Sequence, residues 1–305
     1  ASEVLRGWFT RVSEHGGDIN ELLGTTIKNT DYASLGYEDA FTHADTESEE
    51  VILPILSACR DIRILSEETN PTMRDDAPEG EQRWVVDPLD GTSRFKKGLP
   101  DFSITIALQT KRGGTWHTDI GLVALPMEQR MYMADEKGTQ CLDAEQVKER
   151  MMPELAGPKA FEGDRAALMK GKRIELVLYS KAHFATVNDT RERMMALFEQ
   201  QGAYPQKTFS TAMVLTKMCE PDGVDTTVLA GNALEFAWDV DAALYIAKKA
   251  GLEVRATEMA GEPALVVARS RALATALVHT LKDQYRAACT VLVYRWSMRF
   301  PIGCV

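Results

Sequence analysis

The feature that most constrains this chain is Trp84-Val85-Val86-Asp87-Pro88-Leu89-Asp90-Gly91-Thr92, an apolar strand that runs into a carboxylate-rich turn. Val85 and Val86 are β-branched and follow Trp84, the pattern of a buried strand. Pro88 lacks an amide donor and Gly91 permits tight turning, so these residues are expected to end the strand. Asp87 and Asp90, close together in a short turn, can converge on one point in space. Hard divalent cations such as Mg²⁺ require that arrangement of oxygen donors. Gly91 and Thr92 then offer backbone N–H groups to a phosphate. Taken alone, Asp-Pro and Asp-Gly are also ordinary solvated turns.

Two further segments repeat the theme. Ile62-Arg63-Ile64-Leu65-Ser66-Glu67-Glu68-Thr69 is a short apolar run that ends in adjacent carboxylates. By itself it reads as a charged, solvated loop. Ala237-Trp238-Asp239-Val240-Asp241-Ala242-Ala243 places an acid at the start of an Ala-rich helical pattern, where Asp complements the helix dipole. Acids at the ends of separate apolar segments, in this order, are seldom accidental.

Glu67-Glu68, Asp87-Pro88-Leu89-Asp90-Gly91-Thr92 and Trp238-Asp239 together resemble the inositol monophosphatase superfamily of Mg²⁺-dependent, often lithium-sensitive phosphatases. Thr42-His43-Ala44-Asp45 is similar to the family's early T-x-x-D segment. Ser210-Thr211-Ala212 is similar to its small-residue turn entering a helix, and Asp222-Gly223-Val224-Asp225 to the Gly-x-Asp strand that follows. The resemblance covers roughly residues 35 to 270.

The resemblance implies a layered α-β-α-β-α sandwich, with a metal site between an antiparallel sheet and a second α/β half. It implies hydrolysis of a small phosphate monoester by direct attack of metal-activated water, with two or three Mg²⁺ ions and Mn²⁺ as a substitute. Glu67 would bind the first metal, with Glu68 as a neighbour. Asp87 would bridge two metals and the Leu89 carbonyl would complete the first. Asp90 and Asp239 would hold the second. Thr92 would orient the attacking water in a relay with Asp45, which could also support a third metal. The amides of Gly91 and Thr92 would bind phosphate, with Ser210 and Glu235 as further substrate contacts. Glu235 reads equally well as a plain surface acid.

Composition is consistent with that chemistry. The formal charge of −10 argues against a nucleic-acid polymer as partner, since that role needs a basic face. A small phosphorylated metabolite remains compatible, because metals supply positive charge locally. Asp and Glu oxygens select Mg²⁺ or Mn²⁺ over zinc-type ligation, and no histidine lies in the main acidic motifs. No Cys-x5-Arg loop competes, which favours water over a covalent intermediate. The five cysteines are scattered, without a C-x-x-C pair, so a cytoplasmic location is expected. No apolar run approaches the roughly 20 residues that span a bilayer, and neither membrane contact nor a signal peptide is expected.

With 305 residues, 45% of them hydrophobic, the chain can bury a sizeable core. We expect residues 1–145 to form N-terminal helices plus an antiparallel sheet carrying most metal ligands. Residues 146–305 are expected to form an α/β half carrying Asp239 and substrate contacts. Val4, Leu5, Trp8, Phe9 and Val12 lie at helical spacing. Ser48 to Arg60 reads as a helix that Pro54 should kink. Ser103–Lys111, Thr115–Leu125 and Arg130–Asp135 read as an antiparallel meander. Residues 144–171 read as a connection. Thereafter strands (Ile174–Tyr179, Val224–Leu229, Leu265–Ala268) alternate with helices (Phe184–Gln200, Ala212–Cys219, Trp238–Ala250).

Several positions stay open. Asp241 departs from the family's small residue and is either an extra ligand or a solvated acid. Arg94, Lys96 and Lys97 are candidates to meet a second phosphate. Residues 282–305, beyond the resemblance, read as an added strand or an element of a homodimer. Leu89 in the D-P-L-D-G-T turn leans toward 3′(2′),5′-bisphosphate nucleotidases and sugar bisphosphatases. A metal-binding regulatory protein without catalysis is the alternative from another class.

Overall fold

A computed structural model describes residues 1–15, 18–29, 39–69, 71, 77–143, 148–151, 165–179, 184–207, 210–231, 237–259 and 262–284. The chain opens with helices Ser2–Glu14 (α1) and Ile19–Leu22 (α2) and a small antiparallel pair, Thr26–Asn29 (β1) and Asp39–Phe41 (β2). Helix His43–Cys59 (α3) then leads into a 7-stranded sheet. Its strands are Arg63–Ser66 (β3), Gln82–Asp90 (β4), Ser103–Arg112 (β5), Thr115–Leu125 (β6), Arg130–Asp135 (β7), Gly138–Asp143 (β8) and Lys148–Met151 (β9). They lie side by side in chain order, all antiparallel except β3 with β4. The short helix Thr92–Phe95 (α4) bridges β4 and β5.

The second half carries Arg165–Met169 (α5), Arg173–Tyr179 (β10), Phe184–Gln200 (α6), Tyr204–Lys207 (β11), Thr211–Lys217 (α7), Thr226–Gly231 (β12), Ala237–Lys249 (α8), Glu253–Met259 (β13), Glu262–Ala268 (β14) and Arg271–Gln284 (α9). Its 5-stranded sheet has the order β11-β10-β12-β14-β13.

Alternation along the strands builds the layers. On one face of the first sheet, Val86, Leu89 and Ile104 pack with Leu5, Trp8, Ile52 and Leu56 of α1 and α3. On the other, Leu65, Val85 and Ala107 share a core with Trp238, Val240 and Leu244 of α8, and with Leu229 and Val267 of the second sheet. The far face of that second sheet packs on Phe198, Leu273 and Leu277 of α6 and α9. The order is α-β-α-β-α, as the resemblance implied.

Several local expectations need correction. The helix read from Ser48 begins at His43, because Thr42 and Asp45 form a capping box. Pro54 lies within α3 on its exposed side, where water can take the Glu50 carbonyl that Pro54 cannot serve. Strand β4 does not stop at Pro88; it continues to Asp90 through a register shift between Asp87 and Asp90, so the missing Pro88 amide leaves no gap in the ladder. The stretch read as a bare connection contains β9 and α5. Strands β8 and β13 and helix α9 had no counterpart in the sequence reading, whereas Lys282 falls in α9 and residues 285–305 lie outside the described residues. Among the described residues, no helix is long and apolar enough to cross a membrane.

Candidate metal centre

Strand register explains why the acids meet. Strands β3 and β4 pair with Ser66 beside Val86, and the Glu67 amide donates to the Val86 carbonyl at 3.2 Å. Glu67 therefore follows Leu65, and Asp87 follows Val85, onto the sheet face that meets α8. Across the next pairing Asp87 lies opposite Thr105. The Thr105 hydroxyl donates to the Trp238 carbonyl, which pins the first turn of α8 beside Asp87. At Gly121 on β6 a Cβ would lie 2.6 Å from the Ala242 carbonyl oxygen, so only glycine lets α8 ride this close to the sheet. The outcome is a cluster in which carboxylate oxygens of Glu67, Asp87 and Asp239 lie within 4.8 Å of one another.

Asp87, Asp90 and Asp45 are also held in place by hydrogen-bond donors. Asp87 Oδ1 accepts from the Leu89 amide at 2.9 Å, an Asx turn around Pro88. Asp90 faces Ser103 in the ladder, and its Oδ2 accepts from the hydroxyls of Ser103 at 2.7 Å and Ser210 at 2.6 Å. Gly91, at φ 94°, turns the chain into α4; a side chain there would press on the Asp101 carbonyl at 2.9 Å. The Thr92 hydroxyl lies 3.1 Å from both Asp45 Oδ1 and the Leu89 carbonyl. Asp45 is fixed in turn by the Thr42 amide at 2.8 Å and hydroxyl at 2.6 Å.

These carboxylates repel. Burial raises Asp87 well above the ordinary carboxylate range, and the charges of Glu67, Asp90 and Asp239 push it further. Asp90 is raised to about 6, chiefly by burial, against the lowering effect of its bonds from Ser210 and Ser103. Crowded acids with only oxygen donors fit a hard divalent cation, which would offset both the repulsion and the desolvation. The cluster could hold a metal ion.

The model of the inositol monophosphatase family matches residues 3–291. The chain belongs to that family. The match passes the expected limits of the resemblance at both ends and takes in part of the tail that was expected to lie beyond it. The chain is 34% identical over 120 residues to the Nus factor SuhB of Pasteurella multocida, a stretch covering 39% of this chain and 40% of that protein. It is 36% identical over 84 residues to an inositol-1-monophosphatase of Mesorhizobium japonicum, covering 27% of this chain and 30% of that protein. The aligned stretches thus span less than half the length of these relatives. Among solved structures, the extragenic suppressor protein suhB of Bartonella henselae superposes with a TM-score of 0.66 at 18% identity, covering 92% of this chain and 94% of that one. The IMPase of Thermotoga maritima gives 0.59 at 20% identity, covering 93% and 96%. At such identities these structures establish the fold alone.

Within this member of the inositol monophosphatase family, the candidate residues separate into groups. Glu67, Asp87 and Asp239 converge. Asp90 adjoins them electrostatically, while Asp45 and Thr92 form a hydrogen-bonded pair at the edge. Ser210, expected to contact substrate, has a buried hydroxyl that donates to Asp90 and caps α7 by accepting from the Met213 amide at 3.2 Å. Asp241 is not a solvated acid, since its Oδ2 accepts from Gln109 Nε2 at 2.7 Å, and Gln109 in turn accepts from Arg83. Arg94 pairs with Asp101. Glu235 lies outside the described residues.

Sequence reasoning missed Ser103, Thr105, Ser48 and Glu49. The last two carried a signal: Asp45, Ser48, Glu49, Ile52 and Leu56 share the buried face of α3 at helical spacing.

Proposed function

We propose that this chain is a Mg²⁺-dependent phosphatase of a small phosphate monoester. The convergence of Glu67, Asp87 and Asp239 within 4.8 Å carries the reading, because packing alone gives no reason to gather two half-buried acids around a buried one. Glu67, Asp87 and Asp239 would hold one ion, and Asp90, with Oδ2 fixed by two serines, would present its other oxygen to a second. When bound, Mg²⁺ supplies Lewis acidity, drawing charge from the phosphoryl oxygens and acidifying water.

The chain's own residues do the rest. Asp45, anchored by Thr42, accepts the Thr92 proton and leaves the Thr92 oxygen as acceptor for an attacking water. The proton leaving that water then has a path through Thr92 toward Asp45. The helical bonds of α4 begin with the Arg94 and Phe95 amides donating to the Gly91 carbonyl, so the amides of Gly91 and Thr92, which precede them, would suit a phosphate oxygen. Water oxygen bonds to phosphorus and the ester P–O bond breaks. The leaving oxygen takes a proton from solvent water to depart as an alcohol, and the proton passed toward Asp45 returns to solvent as inorganic phosphate is released.

The test is phosphate release from a panel of singly and doubly phosphorylated metabolites (inositol phosphates, nucleoside bisphosphates, sugar bisphosphates), with Mg²⁺ and with EDTA. Mg²⁺-dependent release from at least one ester is expected. Tight Mg²⁺ binding without release from any would favour the regulatory alternative.

A further inference from the structure

Glu49 is buried, 3% exposed, on the α3 face that meets the sheet. Its Oε1 accepts from the Ser66 hydroxyl, from the Thr69 hydroxyl at 3.1 Å and from the Thr69 amide at 3.4 Å. Those donors bracket Glu67. Ser66 and Glu67 point to opposite faces of β3, so one carboxylate behind the sheet holds the chain on both sides of the ligand in front of it. Two neighbours on the same face of α3 act alike. The Ser48 hydroxyl donates to the Pro88 carbonyl at 2.8 Å, between Asp87 and Leu89, and Asp45 accepts from Thr92. Burying a carboxylate is costly, and an apolar residue would fill this position more cheaply.

We propose that Glu49 is a positioning residue for Glu67, and that the Asp45-Ser48-Glu49 face of α3 sets the three site segments in register with one another. This rests on the reading of Glu67 as a metal ligand. Groups that orient a ligand from behind typically govern metal affinity by about 10- to 100-fold. A side chain needed only for folding would lower the melting temperature and leave the affinity of the folded protein unchanged.

The experiment is direct titration with Mn²⁺, following free Mn²⁺ by electron paramagnetic resonance, on wild type, Glu49→Ala and Glu49→Gln, each melted in EDTA beforehand. Titrations run well below the melting temperature. Glu49→Ala is expected to weaken Mn²⁺ binding by about 10-fold or more. Glu49→Gln should fall between, because a neutral oxygen holds the same donors less strongly than a charged one. Wild-type affinity in folded Glu49→Ala overturns the proposal and leaves the metal reading intact. If Glu49→Ala shows no cooperative melt, Glu49→Gln decides: weaker binding at unchanged melting temperature supports the proposal, and equal binding overturns it. A wild type that binds no Mn²⁺ sinks the metal reading itself, and the role of Glu49 with it.

Discussion

Replacing Asp87 by Asn should move stability in opposite directions with and without metal. Two unit charges 4.8 Å apart repel by about 3.5 kcal/mol at an effective dielectric constant of 20. Asp87 faces two such partners, Glu67 and Asp239, and burial adds to the strain on its ionised form. Relaxation around the cluster and solvent at the half-buried Glu67 and Asp239 relieve part of this in wild type, so the net relief from Asn is smaller, on the order of 2–3 kcal/mol. Asn also keeps an oxygen for the Leu89 amide, so the turn around Pro88 survives. At roughly 2 °C per kcal/mol for a chain of this size, Asp87→Asn should melt about 4–6 °C above wild type in EDTA at pH 7. Saturating Mg²⁺ should reverse the order, because only wild type gains full binding energy. Turnover should fall by about 10³-fold or more, the loss of several kcal/mol of transition-state stabilisation. Calorimetry and phosphate release measure both. A variant that melts below wild type in EDTA, or that gains as much from Mg²⁺, refutes the crowded-acid account.

The same crowding sets a pH dependence. Asp90 is raised on folding to about 6, so the stability it contributes is largest below about pH 4 and declines as pH climbs through about 6. Asp87, raised well above the ordinary carboxylate range by burial, acts in the same direction. For Asp90, raised from 3.8 to about 6, the decline is on the order of 3 kcal/mol; melts at pH 5, 6 and 7 in EDTA should show it, and Mg²⁺ should flatten it. Thr92→Ala should lower kcat by roughly 10²-fold or more while KM changes little, and Thr92→Ser should retain most activity; a raised KM at normal kcat would make Thr92 a binding residue instead. Gly121→Ala should cost about 1–3 kcal/mol and weaken Mn²⁺ binding, since the new methyl pushes α8 and Asp239 off the sheet; unchanged affinity by titration would contradict that geometry. Li⁺ should inhibit uncompetitively, and less so in Asp239→Asn, because Asp241 is tied to Gln109 rather than free to retain Mg²⁺; initial rates across substrate concentrations test it, and no inhibition at high millimolar Li⁺ counts against it.

The layered fold was implied by the resemblance to a family, whereas the sequence by itself determined the acidic segments and their hard-oxygen chemistry. Those properties are local: the β-branched apolar run Trp84–Val86, turn formers at Pro88 and Gly91, and helical spacing after Asp239 depend on neighbours along the chain. Only the tertiary structure decided which acids share a point in space. Glu67 meets Asp87 through the parallel register of β3 and β4, and Asp239 joins them because Thr105 grips the Trp238 carbonyl and Gly121 lets α8 approach. It also brought Ser210 against Asp90, and Asp241 Oδ2 against Gln109, from distant parts of the chain. Pairing across a sheet leaves almost no trace in local sequence, because any strand of suitable polarity could have been the neighbour. The clamp from Glu49 to Ser66 and Thr69 is of this kind: its helical spacing marked it as buried, and only the packing of α3 on the sheet revealed what it holds.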